Sequence, residues 1–172
     1  DQSEKAWRIL IDHLRHLDLP VYLENIFGGQ SALFKEHYQK VKSALGRQLA
    51  GLCFDACHFY IDGMDPVEQW RHWHPLAGSV HLSDCLPHED AHLPFGLEGS
   101  LPVDPFLQAM KSTHFSGTIT LEIKPTSTSQ MDSYLHTYTH TLKTFHYAKY
   151  WRTRLRLLMV KPMLSFLLNG RS

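Results

Sequence analysis

Apolar residues recur along the chain in two alternating rhythms. The first is helical: Trp7, Leu10, Ile11, Leu14 and Leu17 line one face of residues 3–17, and Pro20 stops the run. VYLEN at 21–25 is then a short β-rich run, broken by Gly28-Gly29. Helical spacing returns over 31–45, and AGLCFDA at 50–56 is an apolar strand candidate. A short helix is predicted over 65–74, opening at Asp65-Pro66, and GSVHLSD at 78–84 is a third strand. Residues 85–102, rich in Pro, Gly and His, read as a loop. PVDPFLQAMKST at 102–113 reads as a helix, GTITLEI at 117–123 as a fourth strand, and a long helical stretch begins near residue 128.

Helices alternating with strands predict βαβ crossovers and a parallel sheet, so the fold class is α/β. The strands are apolar runs with little alternation, which predicts burial on both faces. Four such units make half of a (β/α)8 barrel or a small open sheet. The predicted division is a half-barrel over 1–147 and a basic amphipathic helical extension over 148–172. Within that extension, Pro162 is expected to kink or end the helix, and the early part to continue the last barrel helix.

Charge sharpens this division. The net charge is zero, but residues 1–145 hold 11 Lys and Arg against all 17 Asp and Glu, while residues 146–172 hold 6 basic residues and no acid. An acidic body is a poor generic binder of nucleic acid, so no nucleic-acid partner is favoured. Three cysteines without a CxxC pair suggest neither a disulfide framework nor a zinc knuckle, and fit a reducing, cytoplasmic setting. No apolar run is long enough to span a bilayer. Thirteen histidines are many, but His136, His140 and His146 read as ordinary polar-face residues.

The chemistry sits at the strand ends. Glu24, Asp55, His81 and Glu122 each fall near the end of one of the four strands, where burial alone would not select them. In parallel α/β folds those ends converge on one face. Three carboxylates meeting there would repel and be costly to desolvate, and a divalent cation removes that cost. Three oxygen donors with one imidazole suit Mn²⁺, Mg²⁺ or Co²⁺, with Zn²⁺ as the alternative.

LEN (23–25), FDACH (54–58), HLSD (81–84), DAHLPFG (90–96) and TLEI (120–123) follow one another in an order that resembles the xylose isomerase-like TIM barrels. This superfamily groups sugar phosphate isomerases and epimerases with apurinic endonucleases of family 2. The resemblance covers roughly residues 1–145 and implies the C-terminal half of the barrel, strands five to eight. It implies one metal held by Glu24, Asp55, His81 and Glu122. It also implies that the two glutamates act as an acid/base pair beside a carbonyl, and that His58 hydrogen-bonds a substrate oxygen. Asp90 and His92 fall on the family's DxH, as further substrate or metal contacts. The implied reaction is isomerisation or epimerisation of a sugar or polyol, with endonuclease-like phosphodiester hydrolysis as the alternative. A missing N-terminal half-barrel or a dimer partner would complete the pocket, and a half-barrel without one would be non-catalytic. Two departures from the family pattern stand out: its GEG is stretched to Gly96-Leu97-Glu98-Gly99, and CLPHED (85–90) lacks the arginine common in epimerases.

Overall fold

A computed structural model of the chain describes residues 2–26, 33–124 and 130–169, with side chains described for 4–26, 33–124 and 130–160. The Gly28-Gly29 break and the first positions of the predicted helices at 31 and 128 lie outside the described residues.

The elements follow the order α1 (Gln2–Arg15), β1 (Val21–Glu24), α2 (Phe34–Leu45), β2 (Leu49–Asp55), α3 (Ala56–Ile61), α4 (Pro66–Trp73), β3 (Ala77–Leu82), β4 (Asp84–Leu86), β5 (Glu89–Leu93), α5 (Val103–Ser112), β6 (Thr118–Leu121), α6 (Met131–Phe145) and α7 (Tyr147–Asn169). Strands β1, β2, β3 and β6 form one parallel sheet in that order. Sequential parallel strands joined by helical crossovers are the repeating unit of the (β/α)8 barrel, and four of them make its half.

The register explains which residues become core. Leu23 lies opposite Leu52, Phe54 opposite Val80, and Leu82 opposite Leu121, so these apolar side chains share one face. Helices α3, α4 and α5 cover it with Phe59, Trp70, Phe106, Leu107 and Met110, all fully buried. Phe54 stacks on Phe106 at 5.6 Å between ring centroids, and Trp70 meets Phe54 edge-on at 5.2 Å. The Trp70 indole N–H is satisfied by Thr113 Oγ1 at 3.1 Å. Helix α2 adds a second aromatic layer, with Phe34 edge-on to Trp73 at 5.1 Å.

The opposite sheet face differs from the expectation of double burial. It presents Tyr22 and Glu24, Cys53 and Asp55, Ser79 and His81, then Thr118 and Thr120, and of these Tyr22, Thr118 and Thr120 are exposed. Only β2 is buried along almost its whole length, and β6 alternates exposed and half-buried positions. The physical reason is that helices cover one side of this sheet alone.

Other expectations are corrected at short elements. Helix α3 is unannounced in the sequence, because six residues show no period; it is started by the Asp55 carboxylate accepting the His58 N–H. The expected loop at 85–102 contains the antiparallel hairpin β4–β5, whose strands of three and five residues are too short to read. The last helix is not continuous: His146 (φ −140, ψ 66) breaks it, so α7 is a separate helix. Pro162 does not end α7, which runs on to Asn169. His140 is more than a polar-face residue, since its Nε2 lies 2.6 Å from Asp104 and ties α6 to α5. All three cysteines are buried and free. Among the described residues no helix is long and apolar enough to cross a membrane.

Candidate metal centre

Parallel register brings the strand ends together. Asp55 and His81 are direct neighbours across β2 and β3, Glu24 ends β1, and Glu122 follows β6 with its N–H bonded to the Leu82 carbonyl at 3.1 Å. One ligand atom from each of Glu24, Asp55, His81 and Glu122 lies within 4.8 Å of the others. Donors around a cation at about 2.1 Å stand roughly 3–4.3 Å apart, so the spacing is close to what an ion requires. His81 Nδ1 is 3.0 Å from Glu24 Oε1 and 2.8 Å from Glu122 Oε2, so both glutamates approach one ring nitrogen.

Asp55 sets the electrostatics. It is 1% exposed, and burial pushes its carboxyl up to about 6 despite the opposing pull of the His58 charge and its N–H. The Glu24 and Asp90 charges push the same way as burial. For His58, burial works against the proton, but Asp55, the Asn25 carbonyl, Asp90 and Glu24 outweigh it and raise the ring's pKa.

Both shifts make the metal-free fold weaker as pH rises. A group whose folded pKa is raised supports the fold fully below its unfolded pKa and loses that support as pH climbs through the folded value. For Asp55 the window runs from about 4 to about 6 and is worth about 3 kcal/mol. His58 extends the loss above its ordinary value. The chelator-treated chain is therefore expected to melt at a higher temperature at pH 5 than at pH 8. Thermal melts across this range check it; a flat or rising Tm would contradict the assigned burial of Asp55.

A second group adjoins the first. His58, placed on α3, directs Nε2 at Asp90 Oδ2 (3.3 Å), and His92 Nε2 approaches the same oxygen at 3.1 Å. The expected role of His58 as a free hydrogen-bond donor to substrate is narrowed, because Nδ1 is already held by the Asn25 carbonyl. A carbonyl only accepts, so Nδ1 carries a proton, and Nε2 faces the Asp90 carboxylate, which likewise only accepts. Asp90 and His92 lie on strand β5 rather than in a loop. His92 sits in the left-handed region (φ 47), a costly conformation for histidine. The buried Asp90 Oδ1 and His92 Nδ1 have no hydrogen-bond partner among the described residues.

Asn25 is the residue that sequence reading passed over. Fully buried, it donates through Nδ2 to the Asp55 carbonyl at 2.9 Å and accepts the Asp55 N–H at 2.8 Å. It thus stitches the ends of β1 and β2 together under two candidate ligands. Its position within LEN is the available signal, since an asparagine after a strand otherwise reads as a turn residue.

The stretched glycine loop is fastened by Asp84, whose carboxylate accepts from the N–H groups of Cys85 (2.9 Å) and Leu101 (3.0 Å). Gly99 packs against it: a Cβ there would fall 2.0 Å from the Asp84 Cγ. CLPHED contributes no arginine, and its Pro87 and His88 instead help line a cavity of about 660 Å³ with Tyr60, Met64 and Arg71.

Comparison with known proteins agrees with the fold. The chain is 31% identical over 94 residues to the protein named probable endonuclease 4 of Mycobacterium ulcerans (strain Agy99), an alignment covering 53% of this chain and 36% of that relative. The probable endonuclease 4 of Mycobacterium leprae (strain Br4923) is 29% identical over 88 residues, covering 50% of this chain and 34% of the relative. The chain thus spans about a third of the length of the curated relatives it matches. A crystal structure of a D-tagatose 3-epimerase-like protein superposes with a TM-score of 0.57 at 16% identity, covering 84% of this chain and 54% of that one. Relatives named as endonucleases leave the expected exclusion of nucleic acid without support. The family model described as xylose isomerase-like TIM barrel matches residues 1–143, and the chain belongs to that family.

Proposed function

We propose that this chain carries the metal-binding half of a divalent-metal phosphodiester hydrolase, resembling the endonucleases it matches. The observation that carries this reading is the second group of ligand-type side chains. A one-ion site is served by Glu24, Asp55, His81 and Glu122 and leaves His58, Asp90 and His92 unexplained. Their geometry suits another cation: His58 Nε2 and His92 Nε2 converge on Asp90 Oδ2, and the buried Asp90 Oδ1 and His92 Nδ1 have no hydrogen-bond partner among the described residues, at roughly 1–3 kcal/mol each. The four carboxylates of Glu24, Asp55, Asp90 and Glu122 carry a charge that two divalent ions balance.

The chemistry such ions supply when bound is Lewis-acid: neutralising charge on a phosphoryl oxygen and activating a water. The protein's own contribution is to hold and orient. Asn25 fixes the backbone of Asp55 and the ring of His58. The carboxylates of Asp55, Asp90 and Glu24 favour a proton on His58 when no cation is there to take its place.

A second reading rests on a different observation. Glu24 and Glu122 both bring a carboxylate oxygen to His81 Nδ1, at 3.0 and 2.8 Å. Two carboxylates at one centre suit a sugar isomerase or epimerase: one takes the proton from a carbon next to a carbonyl, the other returns it. Mn²⁺, Mg²⁺ or Co²⁺ would serve that reaction, and Zn²⁺ the hydrolysis.

Metal content separates the two. We expect at least two divalent ions per chain by elemental analysis after dialysis against Zn²⁺ or Mn²⁺, and loss of one ion, not all, in His92→Ala. Cleavage of a duplex bearing an abasic site would accompany it. One ion per chain, unchanged by His92→Ala, with solvent-proton exchange into a ketose, would instead favour the isomerase. No bound ion would overturn both.

A further inference from the structure

Helix α7 begins at Tyr147, past the end of the family match at residue 143, so the barrel fold does not require it. Its two sides differ. Tyr150, Thr153 and Leu157, three and four residues apart, form the half-buried side. Tyr147, Trp151, Leu155 and Leu158 run down the other side and are 50–66% exposed, with Met159 beside them at 73%. The stripe extends along roughly 18 Å of helix. A solvated helix face carries polar residues, so a row of exposed Trp and Leu calls for a covering surface.

The flanks say which surface. At 100° per residue, Arg152 flanks the stripe on one side and Arg154 on the other, Arg156 and Lys149 lie on the face opposite it, and residues 146–172 contain no acid. We propose that the first half of α7, residues 147–159, is an interfacial segment that lays its Tyr147–Trp151–Leu155–Leu158 stripe on an anionic lipid surface. The apolar side chains enter the headgroup boundary, the aromatic residues sit at the depth they favour, and the arginines meet lipid phosphate and carboxylate groups. A second copy of α7 would set arginine against arginine. Nucleic acid needs cations at the centre of the contact, where this helix has Leu and Trp.

The test is partition of the full chain onto sucrose-loaded vesicles. Binding is expected to phosphatidylcholine vesicles containing phosphatidylserine and not to pure phosphatidylcholine. It should weaken as salt rises from about 0.1 M to about 1 M, where the Debye length falls from roughly 10 to 3 Å. Trp151 fluorescence should shift to the blue, a change absent in Trp151→Phe. The pair Leu155→Glu and Leu158→Glu should reduce partition at least about tenfold. Arg152→Ala, Arg154→Ala and Arg156→Ala together keep good helix formers and should reduce it roughly a hundredfold. Partition indifferent to phosphatidylserine, or unchanged by either set, would overturn the proposal. So would a stable dimer in sedimentation, or capture by a DNA duplex, that the glutamate pair abolishes.

Discussion

Asn25→Ala is expected to cost more stability than removal of any single candidate ligand. The asparagine side chain makes both hydrogen bonds available to the Asp55 backbone, and all three groups are buried. Truncation orphans one N–H and one carbonyl at about 1–3 kcal/mol each, so about 2–5 kcal/mol is expected. Urea unfolding should show a lower midpoint at an unchanged m-value. Asn25→Asp should not rescue, because a carboxylate cannot donate to the Asp55 carbonyl. Metal affinity should fall with stability, by the roughly 10–100-fold that loss of a ligand's supporting bonds costs. A variant as stable as the parent would mean that the β1–β2 stitch is not fixed by this side chain.

Glu122→Gln should do the reverse, sparing the fold and removing the metal. Its carboxylate is 42% exposed and its backbone N–H, which continues the β3–β6 pairing, is untouched. The metal-free melting temperature should stay close to that of the parent. Affinity for Mn²⁺ or Zn²⁺ by calorimetry should drop by more than the roughly 100-fold upper limit of a supporting-shell change. Parent-like affinity would remove Glu122 from the ligand set, and a collapsed melting temperature would make its role structural.

The four-strand site was readable because each ligand interrupts an apolar run. Asp55 closes seven residues of strand and His81 sits one before the end of β3, and a polar residue there has no packing reason to exist. Once strands are assigned, parallel register does the rest, since it sets Asp55 beside His81 without any choice of loop. The second group was legible only through family resemblance. Nothing local marks Glu89–Leu93 as a strand, and the pairing of Asp90 with His58 spans 32 residues. Sheet coverage was misread because an apolar run does not say how many of its sides are covered: buried Cys53 shares a face with half-buried Ser79 and with exposed Tyr22 and Thr118. Helix α7 departs from expectation at its start, where the His146 backbone (φ −140, ψ 66) interrupts the helix, and Pro162 sits within it without ending it.

The division of candidate ligands between two sheets has an evolutionary consequence. Glu24, Asp55, His81 and Glu122 belong to a sheet whose register could not change without dismantling the core. Asp90 and His92 hang from β5, a strand with no fully buried residue, held to the sheet's end by the Lys124 N–H on the His92 carbonyl at 2.9 Å. A lineage could redraw that strand and change the number of ions while inheriting the sheet intact. Divergence between one-ion sugar chemistry and multi-ion phosphate chemistry would then need only a hairpin swap, and grafting 84–93 between relatives would replay it in the laboratory.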